Sequence, residues 1–365
     1  MSGQEDALLV IRPRASQAPR MEQALAGALA GRRCETVETA EALRPVTGRR
    51  VLFAVAIGAD GVNLEYYRML AWLRNHPGCL EGCLGAAIVD GQSELYTKTL
   101  SRELVLAANL CGCAFIGAPL VEATLTLHNF DIKAANLGTD PLHAYQAAAR
   151  DLADRLLSFE FQRHGAPRLA VLHASSHKSS NTFALWHLIR ESLPGWETDE
   201  IGLRNGAVAD CGGCPYKMCL HFGEQGSCFY GGLMVEEVYP AVRAADAVVM
   251  ICPNYNDALN ANLTAFINRL TALYRTQSFR QKALFALVVS GYSGSDLVAR
   301  QLLGAMCLNK TAMLPPQFCL TETANDLAAM QALPHIPAKL DAFAQCMERA
   351  LLPTVESDKN QGEDS

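Results

Sequence analysis

Leu169-Ala-Val-Leu-His173 runs directly into Ala174-Ser-Ser-His-Lys-Ser-Ser-Asn-Thr182. The first run is apolar and strand-like, the second is a loop dense in hydroxyls, and a helix-like run from Phe183 to Glu191 follows. Such a junction suits an anion. Hydroxyls donate, and the free N–H groups and dipole at a helix N-terminus favour negative charge. Ser180 or Asn181 is expected to cap that helix. Hydroxyl-rich turns are common, so the loop alone leaves an ordinary capped turn open. The surrounding pattern decides.

Around this junction the second half alternates. Ala247–Cys252, Ala283–Ser290 and Gln317–Leu320 read as buried strands, with Trp196–Ile201 as a further one. Thr182–Glu191, Met234–Ala244, Ala261–Tyr274, Ser295–Leu308 and Ile336–Leu351 are helix-like. Strands alternating with helices imply a parallel sheet covered on both faces. Five such units match the doubly wound order of flavodoxin, in which ligands sit beyond the C-terminal strand ends. The first half repeats the rhythm, with strands expected at Leu8–Arg12, Val51–Ile57, Gly85–Val89 and Ala114–Ala118. Its helices are expected at Met21–Ala30, Leu64–Arg74, Leu100–Leu110 and Leu142–Leu157.

The expectation is an α/β protein of two tandem flavodoxin-like, doubly wound parallel sheets, each a three-layer α/β/α sandwich. Domains are expected at 1–160 and 166–352, with a disordered tail at 353–365. The first loop, Pro13-Arg-Ala-Ser-Gln-Ala-Pro-Arg20, has two prolines and one hydroxyl. Prolines remove backbone donors, so it makes a poorer phosphate cradle. The first domain is therefore expected to be a degenerate copy that packs, dimerises or gates. The long connection Leu125–Asp140 is either functional or a surface excursion.

Composition narrows the function. A net charge of −6, from 31 basic and 37 acidic residues with no basic patch, argues against nucleic acid. No apolar run reaches the roughly 18 residues of a membrane span. The start, Met-Ser-Gly-Gln-Glu-Asp, does not look like a signal peptide. Thirteen cysteines, an odd number without an export signal, point to a reducing, cytoplasmic setting.

Two further strand-to-loop junctions look built for the same ligand. Cys252-Pro-Asn-Tyr-Asn256 follows one strand and Ser290-Gly-Tyr-Ser-Gly-Ser295 the next. Tyr255 and Tyr292 offer planar rings, and the glycines admit close backbone approach. Three loops converging at one sheet end fit a molecule with an anionic tail and a flat heterocycle, such as FMN. In these motifs the second half, from about Leu169 to Leu351, resembles the NAD(P)H-dependent FMN reductases and their iron–sulfur flavoprotein relatives. Ala174–Thr182 is similar to that family's G-S-P-R-x-x-S-N-T phosphate loop, Cys252–Asn256 to its P-V-Y loop and Ser290–Gly294 to its glycine-bearing loop. Ala174, Ser176, His177 and Asn254 depart from the pattern.

The resemblance implies that Ser175, Lys178, Ser180, Asn181 and Thr182 hold the phosphate. It implies Pro253, Asn254, Tyr255 and Asn256 at the ring edge, and Gly291, Tyr292 and Gly294 on the other side. It implies an FMN that takes hydride from NAD(P)H at N5 and passes electrons to a small-molecule or protein acceptor, so no protein acid–base group is required. It also implies a homodimer, unless the fused first domain takes the partner's place. An iron–sulfur flavoprotein electron carrier and a non-catalytic flavodoxin-like scaffold remain as alternatives.

Cys211-Gly-Gly-Cys214-Pro-Tyr-Lys-Met-Cys219, followed by Cys228, is the second feature. Four thiolates suit a [4Fe–4S] cluster or zinc, or serve as thiols without metal. In the iron–sulfur relatives this position holds a cluster; the spacing here is looser. Cys79, Cys83, Cys111 and Cys113, like Cys34, Cys307, Cys319 and Cys346, read as core, while Cys252 is placed to touch the ring. Glu236 and Glu237 read as a solvated helix face.

Overall fold

A computed structural model describes residues 7–15, 18–175, 180–324 and 333–353. The first unit runs β1 (Leu8–Ile11), α1 (Pro19–Leu29), β2 (Cys34–Val37), β3 (Arg50–Ile57), α2 (Leu64–Asn75), β4 (Leu84–Gly91), α3 (Thr97–Leu110), β5 (Ala114–Ala123), α4 (Asp131–Leu137) and α5 (Pro141–Ser158). The second runs β6 (Arg168–His173), α6 (Asn181–Glu191), β7 (Glu197–Gly202), α7 (Tyr216–Glu224), α8 (Tyr239–Ala244), β8 (Ala247–Asn254), α9 (Ala261–Tyr274), β9 (Ala283–Ser290), α10 (Ser295–Leu302), β10 (Cys319–Thr323) and α11 (Ile336–Leu351). The strand orders are β2-β1-β3-β4-β5 and β7-β6-β8-β9-β10, and every pair is parallel. Both are the flavodoxin order.

The central strands are apolar throughout because both faces are covered. Successive side chains go to opposite layers: Leu169 and Val171 join one, Ala170 and Leu172 the other. Leu185 and Trp186 of α6 lie in the first layer with Phe343 of α11. Leu263 and Phe266 of α9 lie in the second with Val298 of α10. Both layers continue without a break into the first unit.

The joint between the units is a β-bulge. The register of β4 with β5 shifts between Gly85 and Ala87, so β5 crosses Gly117-Ala-Pro119 and continues to Ala123. Bulges bend a strand and free its backbone for other partners. Here Phe115 pairs antiparallel with Leu314, Ala118 N donates to Thr311 O at 3.1 Å, and Met313 bridges to Ala283 of β9. Segment 311–314 thus covers the edge of β5, an edge that would otherwise invite intermolecular pairing. Asn109, fully buried, fastens the seam: its amide donates to Pro315 O at 2.6 Å and accepts from Phe318 N at 3.1 Å. Because the junction is antiparallel while each sheet is parallel, the two C-terminal sheet edges face opposite sides of the molecule.

Several elements depart from expectation. β2 is a four-residue edge strand, mostly exposed, too short and polar to show a periodic signal; it leaves Cys34 exposed and not in the core. α4 occupies part of 125–140, and α7 lies inside the cysteine segment. Met234–Val238 and Leu303–Asn309 are π-helical, where single helices were expected. Gln317 adopts φ 50° and precedes β10 instead of opening it. Pro19 opens α1, a position that tolerates the missing N–H. Arg20 then crosses to Asp90, at 2.6 Å, and to Leu125 O, tying the ends of β4 and β5 to α1. That edge keeps a cavity of about 1060 Å³ walled by Gly58, Asp60, Asn63 and Gln92 among others. Among the described residues no helix is long and apolar enough to cross a membrane.

Candidate functional site

β6, β8 and β9 lie side by side, so their C-terminal ends open onto one edge. His173 is level with Ile251 and Asn254 with Ser290. The next two loops are linked through Asn254, whose Nδ2 donates to Ser290 Oγ at 2.9 Å, to Ser293 O at 3.3 Å and to Asp257 Oδ1 at 3.3 Å. Its Oδ1 is buried and has no partner among the described residues. A buried acceptor without a donor is costly unless a ligand supplies one.

Beyond Asn254 the chain reverses in a tight turn. Asn256 and Asp257 both take φ 56°, and Ala258 N donates to Tyr255 O at 3.3 Å. Two consecutive positive φ values define a type I′ turn, which Asn and Asp tolerate well. The turn leaves Tyr255 62% exposed, and Tyr292 on the neighbouring loop is 80% exposed. Gly294 takes φ 93°, and a Cβ there would run into Asp257 Oδ1 and stand 3.0 Å from Asn254 Nδ2.

On the β6 side, Ser180 is the N-cap of α6, and its side chain makes no capping bond. A helix N-terminus, with its orphan N–H groups and dipole, is a place where an anion is held. Ser175, Ser180 and Asn181 are half-buried, whereas Thr182 is buried under the first turn. Lys178, like Ser176 and His177, lies outside the described residues. Cys252 does not reach the edge: it is fully buried in β8, and burial pushes its thiol well up.

Cys211, Cys214, Cys219 and Cys228 line one cavity of about 190 Å³, with Phe222, Tyr230 and Arg269. Among the described residues no three His, Cys, Asp or Glu side chains converge closely enough to hold a single ion. Charge balance in this cavity is distinctive. Arg269 is 3% exposed, its Nη2 donates to Gly231 O at 2.7 Å and its Nη1 to Ala209 O at 3.4 Å, while its Nε has no partner among the described residues. A buried guanidinium needs negative charge nearby; Asp210, whose carboxyl is held below the usual range by Asn268, the Cys211 amide and Arg269, supplies some of it. Burial, reinforced by the Cys214 thiol, pushes the Tyr230 phenol up; burial and the Cys228 thiol do the same to Tyr239. A Cβ at Gly212 would stand 2.6 Å from Tyr230 Cζ, so glycine there admits the ring. Glu236 and Glu237 are exposed, away from this chemistry.

Residues 167–325 match the family model of the NADPH-dependent FMN reductases. A stretch of 119 residues is 31% identical to an iron–sulfur flavoprotein of Archaeoglobus fulgidus, covering 32% of this chain and 58% of that protein. The chain thus spans little more than half the length of that curated relative. Among solved structures, an NAD(P)H:quinone oxidoreductase from Methanothermobacter marburgensis aligns at 15% identity and TM-score 0.37, over 50% of this chain and 94% of its own. An apo NADH:FMN oxidoreductase aligns at 15% and 0.36, over 51% and 90%. Rubredoxin oxygen:oxidoreductase from Desulfovibrio gigas aligns at 13% and 0.33, over 80% and 55%.

The matched region contains all three loops and the four cysteines. Pro253, Asn254, Tyr255, Asn256, Gly291, Tyr292 and Gly294 gather at the shared edge of β8 and β9. Sequence reasoning did not single out Asp257. Asp257 follows Asn256, and the Asn-Asp pair is itself a turn signal. Arg269 sits at core spacing on α9, between Phe266 and Leu270, and a charge there marks a buried cation.

Proposed function

We propose that the second unit holds FMN across the C-terminal ends of β6, β8 and β9 and acts as a flavin-dependent oxidoreductase, with NAD(P)H as donor and an acceptor still to be named. The observation that carries this is the buried, unpartnered Oδ1 of Asn254, set where the β8 and β9 loops are joined. It fits the N–H edge of a flat heterocycle, with Tyr255 and Tyr292 flanking as exposed rings. Ser175, Ser180, Asn181 and the first-turn amides of α6 would hold the phosphate, with Lys178 and Thr182 as the family pattern implies. Gly291 and Gly294 would let the backbone close on the ring. FMN supplies reversible hydride chemistry when bound. The protein's part is to fix the ring, place charge around it and exclude water.

A second reading, favoured by the cysteine cavity, adds a [4Fe–4S] cluster held by Cys211, Cys214, Cys219 and Cys228. Four sulfurs around a common space, with Arg269 buried beside them, suit a multi-atom anionic cluster better than one zinc ion. Such a cluster would supply single-electron transfer.

Protein purified without oxygen, with its absorption spectrum, iron and acid-labile sulfide measured on one sample, tests both. Flavin bands that bleach on adding NADH or NADPH are expected. About four irons per chain is the expected cluster content. Flavin without iron would leave the oxidoreductase and reduce the four cysteines to thiols; a colourless protein that takes up no added FMN would end both readings.

A further inference from the structure

We propose that the cavity between the two units is a binding site for a small oxyanion, a carboxylate or a phosphate, clamped between Arg102 of the first unit and Lys310 of the second. The cavity measures about 540 Å³ and is walled by α3, α9 and the π-helical segment Leu303–Asn309. None of the residues assigned to the flavin lines it, although the wall residue Gln301 donates to Asp257 O at 3.3 Å in the neighbouring turn.

Lys310 is the first observation. It is only 9% exposed, its Nζ donates to Thr271 Oγ1 at 2.8 Å, and it lies 5.4 Å from the centroid of the Tyr274 ring. An ammonium has three donors, and among the described residues no carboxylate pairs with this one. A lysine is almost never this buried unless paired.

Arg102 is the second. It enters from α3 and lies across Gly304: a Cβ there would meet its Nε, with Cδ at 3.0 Å and Cζ at 3.1 Å. Glycine at 304 is therefore the cradle that lets a guanidinium of one unit pass over the backbone of the other. Arg102 likewise has no ion-pair partner among the described residues. The π-helical widening at Leu303–Asn309 carries the cradle and presents Asn309 and Lys310 at its end; such widenings recur at functional sites. Two cations from different units, both without a carboxylate, share one polar space, and an oxyanion satisfies both.

The wall also includes Cys211, Asn268 and Thr271, which line the cysteine cavity too. Asn268 donates to Asp210 Oδ1 at 3.0 Å, so one of its amide donors is already taken. The anion would thus sit between the first unit and the cysteine cluster, and the first unit would contribute a ligand-binding side chain as well as packing.

Isothermal titration of the full chain with inorganic phosphate and, separately, with malonate tests this, with chloride at equal ionic strength as the blank. Saturable binding of either probe is expected; which one binds identifies the source as phosphate or carboxylate. Arg102→Ala and Gly304→Val should each weaken it at least tenfold, about 1.4 kcal/mol, and Lys310→Met should abolish it. Arg102 is half-exposed, so its variant reports even where Lys310→Met fails to fold. No saturable binding of either probe, or equal binding by wild type and Arg102→Ala, overturns the proposal whether or not the protein holds flavin.

Discussion

Valine in place of Gly117 is expected to cost roughly 4 kcal/mol or more of stability, the range reserved for specific structural failures. Gly117 sits in the bulge of β5, directly against the backbone of Arg280, and a Cβ would overlap Arg280 O, with Arg280 C at 2.6 Å. That neighbour is main chain, so no side-chain rotation relieves the clash. The carbonyls of Gly117 and Ala118 are also held by Arg155, at 2.9 and 3.1 Å, which prevents the bulge from swinging away. Ordinary overpacking costs about 1–3 kcal/mol because side chains adjust; here the units themselves must part. Guanidinium unfolding followed by circular dichroism measures it. Gly165→Val is the control, since nothing lies within 4 Å of a Cβ there. An unchanged midpoint for Gly117→Val would mean that the joint is not a close backbone contact.

This expectation rests on a feature the sequence does not announce. The sheets are legible because buried parallel strands are long and apolar and because α9 and α11 keep an unbroken helical period; both helices begin and end as expected, at Ala261–Tyr274 and Ile336–Leu351. The joint is not legible. It depends on Phe115 meeting Leu314 and on Asn109 meeting Pro315, contacts between distant segments with no local signature. β2 escaped notice because an exposed edge strand of four residues has no buried face to enforce alternation.

The candidate site divides the same way. Hydroxyls, glycines and tyrosines at strand ends can be read in order along the chain, and the sheet brings their loops to one edge. Burial of a charge cannot be read so directly. Arg269 and Lys310 are ordinary basic residues in the sequence, and only the surrounding helices leave them 3% and 9% exposed. Their significance comes from what surrounds them, Thr271 and Tyr274 beside Lys310 and the Ala209 and Gly231 carbonyls around Arg269, which is a property of the assembled structure.

The flavin edge meets its sharpest test at Gly294, where valine is expected to weaken FMN binding by roughly 10- to 100-fold. The position takes φ 93°, a region costing a branched residue about 1–3 kcal/mol. Its Cβ would collide with Asp257 Oδ1, and the collision is transmitted: Asp257 and Asn254 share a hydrogen bond at 3.3 Å, and Asn254 ties the β8 loop to Ser290 and Ser293. Relief requires the 291–294 loop to draw back from the turn that presents Tyr255. If the strain appears as lost affinity, each 1.4 kcal/mol is a tenfold change. The effect should be local, because β9 ends at Ser290 and its core contacts do not include Gly294. Flavin-fluorescence titration gives the affinity, and far-ultraviolet circular dichroism confirms the fold. A folded Gly294→Val protein that binds FMN as tightly as wild type would move the ring away from this loop and require another account of the unpartnered Asn254 oxygen.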